Sequence, residues 1–504
     1  MQSFDADVIV VGAGPTGLML AGELRLAGAE TIVLERLAEP MRQSRALGFS
    51  ARAIEEFDQR GLLPRFGDLE TIPFGHFGGL PIDFRVLEGG SYGARGKPQS
   101  LTEGLLAEWA RGLGAVVHRE HEVTGLHAGD DGVELDVVTP EGPKRLRARY
   151  VAGCDGARSD VRKMAGVDFP GTDPTIEMWF ADVKGCGLRP RFSGERVPGG
   201  MVMVLPLGPE IQRVIVYERG MARQGEGAPA FGEVAAALNR LTGEDISGGT
   251  PLWTSWTTDA ARQAARYRRG RVFLLGDAAH IHLPVGAQGM SAGIGDAVNL
   301  GWKLGAAIGG HAPAGLLDTY HDERHPVGAR ILANTLAQRI LYLGGDEMDP
   351  MREVMAELLA YEEVQKLLVG MVTGLDIRYD VGPGDHPLLG RRLPDVELAA
   401  GRESAFQHLS AGRGVLFDLG GDDGLRAAAG PWTDRIDVVT AGDRPAGALA
   451  DVDAVLVRPD GYIAWIGSAG SGDAGLPDAL TRWFGQPHDG HQAAASAAAV
   501  ATAT

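Results

Sequence analysis

The feature that most constrains this chain lies in its first 35 residues. The apolar run Val8 to Val11 leads into Gly12-Ala13-Gly14-Pro15-Thr16-Gly17, which opens a helical stretch. A second apolar run, Thr31 to Leu34, is closed by Glu35. This strand–loop–helix–strand order specifies a mononucleotide-binding βαβ unit at the front of a doubly wound α/β fold. A helix N-terminus presents unpaired N–H groups and a partial positive charge, so it holds phosphate. In this pattern Gly12 permits the tight turn, Gly14 lets the backbone approach a pyrophosphate, and Gly17 lets the helix lie close on the sheet. Pro15 and Thr16 occupy the first helical turn between them. Glu35, followed by Arg36, stands where a ribose hydroxyl would need an acceptor, and its charge would repel a 2′-phosphate. By itself the loop serves FAD and NAD alike.

Two further loops narrow the choice. Cys154-Asp155-Gly156-Ala157-Arg158-Ser159, with Arg162 shortly after, is one. Gly276-Asp277-Ala278-Ala279-His280 is the other, and Pro284 to Ser291 then leads into a helix at Ala292. Three such loops in this order point to bound FAD. Asp277, at a strand end behind a glycine, can reach a polyol at close range, or it can cap a helix. The run containing Pro284, Gly289 and Met290 brings a helix N-terminus, with its partial positive charge, to the end of this loop. Arg158 reads as a solvated charge. His280 and His282 form a His-x-His pair with no third ligand nearby in sequence, so they read as structural and no metal site is expected.

Bulk properties exclude other classes. A net charge of −18 argues against nucleic acid as a partner, because phosphate binding needs a basic surface. Two cysteines, Cys154 and Cys186, can build neither a disulfide framework nor a zinc cluster, which suits a cytoplasmic protein. No run approaches about 18 uninterrupted apolar residues, so no membrane partner is expected.

The periodicity predicts helices over 15–28, 51–61, 102–113, 231–241, 292–308, 316–342 and 353–373. Residues 116–138 read as a hairpin turning at Gly129-Asp130-Asp131-Gly132, and 175–217 as antiparallel sheet turning at Pro198-Gly199-Gly200. Short strands are expected over 415–419, 436–440, 454–457 and 463–465. The domain reading is a discontinuous Rossmann-like unit (1–73, 100–172, 268–385) with an antiparallel-sheet unit (74–99, 173–267) inserted. A third unit spans 390–487, and the alanine-rich tail 488–504 reads as disordered.

On the residues of the three loops the chain resembles the single-component, class A FAD-dependent aromatic hydroxylases, the superfamily of phenol hydroxylase and p-hydroxybenzoate hydroxylase. More narrowly it resembles the angucycline-type polyketide hydroxylases. The resemblance implies that Asp155, Gly156 and Arg162 serve both FAD and a transient NADPH. It implies that Asp277 accepts from the FAD ribityl chain. It places Arg45, in Ser44-Arg45-Ala46-Leu47-Gly48, beside the flavin. It implies a thioredoxin-like C-terminal unit, here without cysteine and so without thiol redox chemistry. The chain departs from many relatives at Ala287, where they carry glycine, and at Ser291, where they carry asparagine.

The implied reaction uses NADPH and dioxygen. A C4a-hydroperoxyflavin would hydroxylate a polycyclic aromatic polyketide, in antibiotic biosynthesis. No side-chain base for the phenol is assigned. Candidates for the substrate wall are His76, Phe77, Trp179, Met201, Met203 and Tyr217, since methionine and aromatic groups suit a flat polycycle. They would serve equally well as sheet core. Two alternatives stay open: Baeyer–Villiger oxidation or oxidative inactivation of an aromatic antibiotic, and a non-catalytic flavin or small-molecule binding protein. Relatives are often dimers, and a homodimer is compatible with the resemblance.

Overall fold

The computed structural model describes residues 3–41, 43–44, 46–87, 92–95, 97–221, 227–398, 404–442, 445–468 and 474–488. Ala6–Val11 is apolar apart from Asp7 near its start and almost fully buried, as the central strand of a parallel sheet must be. It pairs in parallel with Thr31–Glu35 on one side and with Gly142–Gly153 on the other, so that Val8 lies opposite both Thr31 and Tyr150. Val116–Arg119 and Val272–Leu274 extend the two flanks. Numbered along the chain, these five strands lie in the order 3-2-1-4-5, a doubly wound arrangement.

Gly142–Gly153 has two tasks that its sequence hides. Its first half is antiparallel to Val133–Thr139, and its second half enters the parallel sheet. The expected hairpin is present as Glu122–Ala128 and Val133–Thr139.

Helix α1 (Pro15–Leu26) covers the parallel sheet. It packs against α3 (Gln99–Gly112), while α2 (Ala51–Gln59) and the short α4 (Asp160–Met164) lie elsewhere in the unit. The antiparallel sheet runs Arg191–Val197, Gly200–Pro206, Ile211–Glu218, Glu177–Lys184, Thr250–Thr258. Its outer face carries α5 (Phe231–Thr242), with Val234 and Leu238 buried against Trp179, Ala181, Val202 and Val216.

The long buried α6 (Gln288–Ile308) lies across α1. Gly301 and Gly305 permit this contact, since a Cβ at either would overlap the β-carbon of Glu23 or Ala27. Helix α7 (Thr319–Leu343) follows. The helix expected over 353–373 is two, α8 (Asp349–Leu358) and α9 (Glu362–Thr373). The chain tightens at Ala360 and Tyr361, whose N–H groups donate to Glu357 and Leu358 carbonyls, and then turns extended at Tyr361 (ψ 124°).

The C-terminal unit is a four-stranded mixed sheet in the order Ile436–Thr440, Gly414–Asp418, Val452–Val457, Ile463–Ser468. Helices α10 (Asp423–Ala429) and α11 (Leu476–Phe484) complete its thioredoxin-like architecture. Buried charges clamp it to the front of the chain. Arg60 is bidentate to Glu23 (2.6 and 2.9 Å) and also donates to the Leu409 and Pro459 carbonyls. Arg458 pairs with Glu323 at 2.5 Å. The expected tail beyond His488 and the candidate Arg45 lie outside the described residues.

Candidate active site

A cavity of about 750 Å³ runs from the first glycine loop to the inner face of the antiparallel sheet. The three glycines of that loop divide their work as the spacing implied. Gly12 has φ +107°, and a Cβ there would strike the Cys154 carbonyl; a Cβ on Gly17 would overlap the Gly12 carbonyl. A Cβ on Gly14 meets nothing within 4 Å, because Gly14 lines the cavity. Gly14 also caps α1 without a side-chain hydrogen bond, which leaves first-turn N–H groups available to an anion. Pro15 and Thr16 line the same end. Glu35 accepts from Ala13 N and Leu37 N, both at 2.9 Å, so its carboxylate is fixed beside the loop. Arg36 is exposed next to it.

The third loop is anchored from below. Gly276 (φ +57°) donates its N–H to Asp296 Oδ2 at 3.0 Å. Asp296, buried in α6, also accepts from His280 Nε2 at 2.9 Å and from Arg324 Nε at 2.7 Å. Burial alone would raise the Asp296 carboxyl, but Arg324 and His280 outweigh it and hold it at about 2. Arg324 reaches on to the Ala292 carbonyl (3.0 Å) and to Tyr379 Oη (2.9 Å). Asp277 is thereby presented, exposed, on the cavity wall. Pro284, Gly289 and Met290 line the next stretch, where α6 aims its N-terminus at the cavity. Ser291, one of the two departures from relatives, accepts from Ser50 N at 2.9 Å and so ties α6 to the segment before α2.

The second loop is built differently from the expectation. Gly156 lines the cavity, but Asp155 and Arg162 do not. Asp155 Oδ2 accepts from Asp160 N (2.8 Å) and Val161 N (3.0 Å), capping α4, and burial raises its carboxyl. Arg162 is buried, stacked 3.7 Å from the Phe169 ring centre, and donates to the Ala278 and Ala157 carbonyls. It braces the second loop against the third through these two backbone carbonyls.

The substrate candidates divide by strand parity. His76 and Met203 line the cavity. Trp179 faces the other way, into the core beneath α5; its neighbours Met178 and Phe180 take the wall. Phe77 likewise points away, into a cluster with Leu341 and Val369. Met201 and Tyr217 share the cavity-side face but are buried behind the lining with Leu343. Phe192, Ile215 and Tyr342 are wall residues that were not foreseen.

Two histidines in the wall are kept neutral. Burial pulls His76 down to about 4, and its Nδ1 accepts from Gly79 N. Burial also pulls His282 to about 4; its Nδ1 donates to the Leu283 carbonyl at 2.8 Å, and its Nε2 has no partner. This Nε2 is buried against Gly289. Among the described residues, no three His, Cys, Asp or Glu side chains could together hold a metal ion, and no helix is long and apolar enough to cross a membrane.

Two helix N-termini, an open glycine and an exposed Asp around one elongated cavity fit a flavin dinucleotide. The chain matches the family described as FAD binding domain over residues 5–335, and that described as aromatic-ring hydroxylase, C-terminal, over residues 386–487. The chain belongs to the FAD-dependent aromatic hydroxylases. This hydroxylase is 45% identical over 501 residues to the 12-dehydrotetracycline 5-monooxygenase/anhydrotetracycline 6-monooxygenase of Streptomyces rimosus, covering 95% of this chain and 99% of that one. It is 44% identical over 492 residues to the rifampicin monooxygenase of Streptomyces venezuelae, covering 95% and 98%. The crystal structure of CabE, an aromatic hydroxylase from angucycline biosynthesis, superimposes with a TM-score of 0.91 at 56% identity, covering 96% of this chain and 100% of that one. The hydroxylase is thus an FAD-dependent monooxygenase of the class A type.

Proposed function

We propose that this hydroxylase places a hydroxyl group on a phenolic ring of an angucycline-like polyketide, drawing electrons from NADPH. The observation that carries the reading is the continuity of one cavity from the Gly14 phosphate cradle to the apolar wall of Met178, Phe180, Met203 and Ile215. When bound, FAD supplies the reductive activation of dioxygen. The first turn of α1 would hold its pyrophosphate, and Asp277 its ribityl hydroxyls. The N-terminus of α6 would stabilise negative charge on the reduced ring. The methionine and phenylalanine wall excludes water and seats a flat ring system.

The likeness to a rifampicin monooxygenase supports a second reading, oxidative inactivation of an aromatic antibiotic on the same scaffold. Both readings are tested by mixing the purified holoenzyme with NADPH under air and a panel of hydroxylated tetracyclic quinones, followed by mass analysis. Faster NADPH oxidation with a hydroxylated product supports the first. Stimulation with an aromatic antibiotic alone supports the second. No stimulation by any member of either class overturns the enzymatic assignment in favour of binding.

A further inference from the structure

Behind the flavin cavity lies a second one, of about 410 Å³, whose use none of the above requires. Its outer end is bordered by the exposed Asp322, Arg330, Arg378 and Asp380, so it opens to solvent. Its inner end meets the flavin cavity at four shared residues, Ser50, Gln288, Val372 and Thr373. Three of these are polar. Between the two ends the wall carries Glu56 on α2, with Ser291 and Gly295 one turn apart on α6.

Glu56 is 3% exposed, and its Oε2 has no hydrogen-bond partner. Oε1 sits 3.3 Å from Arg52 Nε. A Cβ on Gly295 would stand 3.3 Å from Glu56 Oε1 and 3.1 Å from Arg324 Nη2, so the glycine leaves the room that the carboxylate occupies. A buried carboxylate oxygen with no donor is costly in a dry protein. Ser50, Ser291 and Thr373 border a space beside it large enough for water, which would supply the missing donor.

We propose that the second cavity is a proton channel between the flavin cavity and solvent, with Glu56 as its proton carrier. The inference rests on the phenolic substrate class proposed above. A ring hydroxyl in the flavin cavity gives its proton to water at the Ser50–Thr373 junction and becomes the oxyanion. Water in the second cavity passes that proton to Glu56 Oε2. Glu56 then releases it to solvent at the outer mouth and returns to the carboxylate. The ring oxygen attacks an electrophile better as the oxyanion, so the channel serves the step that needs it.

The groups facing Glu56 are Arg52 and Glu55 on its own helix, Arg324 on α7, Glu23 on α1 and Tyr462 of the C-terminal unit. Burial raises the carboxyl, the two arginines lower it and the two glutamates raise it, with a net position of about 7. A carrier there both takes and gives protons near neutrality. The histidines of the flavin cavity, held near 4, are poor carriers at that pH.

The probe is alizarin, a dihydroxyanthraquinone whose visible colour reports its own ionisation. Oxidised holoenzyme is mixed with alizarin by stopped flow across the neutral range, with Glu56→Gln, Glu56→Asp and Ile331→Trp compared. Ile331 lines the second cavity and not the flavin cavity, so the tryptophan plugs the channel and leaves Glu56 intact. In the native protein, ionisation of the bound dye should speed up as pH rises through about 7. Glu56→Gln and Ile331→Trp should each slow it by about tenfold or more. Glu56→Gln should flatten its pH dependence, and Glu56→Asp should restore part of it. Equal rates and equal pH profiles in the native protein and Ile331→Trp overturn the channel, whatever the stability of the Glu56 variants. A native protein that neither binds alizarin nor oxidises NADPH faster with any phenolic polycycle overturns the functional reading instead.

Discussion

Asp296 offers a sharp test of how the flavin loop is held. Replacing it with alanine removes three acceptor contacts at once, from Gly276 N, His280 Nε2 and Arg324 Nε. The change also leaves the Arg324 guanidinium buried without its carboxylate. Removing one partner of a buried pair costs about 3–5 kcal/mol. Arg324 keeps the Tyr379 hydroxyl and the Ala292 carbonyl, which places the expected cost at the lower end, about 3 kcal/mol. An independent measure agrees in size. Holding the carboxyl at about 2 instead of its ordinary 3.8 corresponds to ~2–3 kcal/mol at neutral pH.

At about 2.1 cal/mol/K of unfolding entropy per residue, a chain of 504 residues shifts by about 1 °C per kcal/mol, so the melting temperature should fall by about 3 °C. The folded pKa is depressed, so this contribution is present above the ordinary aspartate range and is lost as pH falls towards 2. The gap between native protein and variant should therefore close on acidification. The assay is differential scanning fluorimetry of holo- and apo-protein from neutral pH down to the acid limit of folding, with FAD affinity measured in parallel. Because Gly276 loses its anchor, FAD affinity should fall as well. An Asp296→Ala protein with native melting temperature and native FAD affinity would refute the role assigned to this cluster.

Other outcomes follow from the same geometry. Trp179→Ala should cost about 3–5 kcal/mol, read from denaturant unfolding, and leave the product unchanged, whereas Phe180→Ala should change ligand affinity or the site of oxidation more than stability. Gly14→Val should fold but fail to retain FAD, because its side chain enters open cavity; Gly17→Ala should lose stability that added FAD does not restore. Arg162→Met should lower the melting temperature, since it leaves the Ala278 and Ala157 carbonyls short of a donor, while the KM for NADPH stays unchanged.

The sequence made the cofactor cradle legible because phosphate binding at a helix start leaves little freedom. Gly12, Gly14 and Gly17 stand at the spacing the turn, the approach and the packing each demand. The substrate wall was less legible for a definite reason. In Glu177–Lys184 both faces are apolar, one toward α5 and one toward the cavity, so alternation carried no sign of which was which. Trp179 suits a flat polycycle as an aromatic, but parity puts it in the core. The break at Ala360 and Tyr361 was missed because no glycine or proline marks it. The Asp296–Arg324–His280 cluster was invisible for another reason: its members are far apart in sequence, and only the crossing of α6 and α7 brings them together. Nothing local to Glu56 signals that its α2 position is covered by the C-terminal unit.

The most direct measurement is isotopic. Holoenzyme, NADPH and a hydroxylated tetracyclic quinone are incubated under oxygen-18 gas, and the product is resolved by mass spectrometry. One labelled oxygen on an aromatic carbon, formed only when FAD is bound, is the expected result. A colourless protein that regains no yellow chromophore on incubation with FAD, or a product whose new oxygen comes from water, would contradict it.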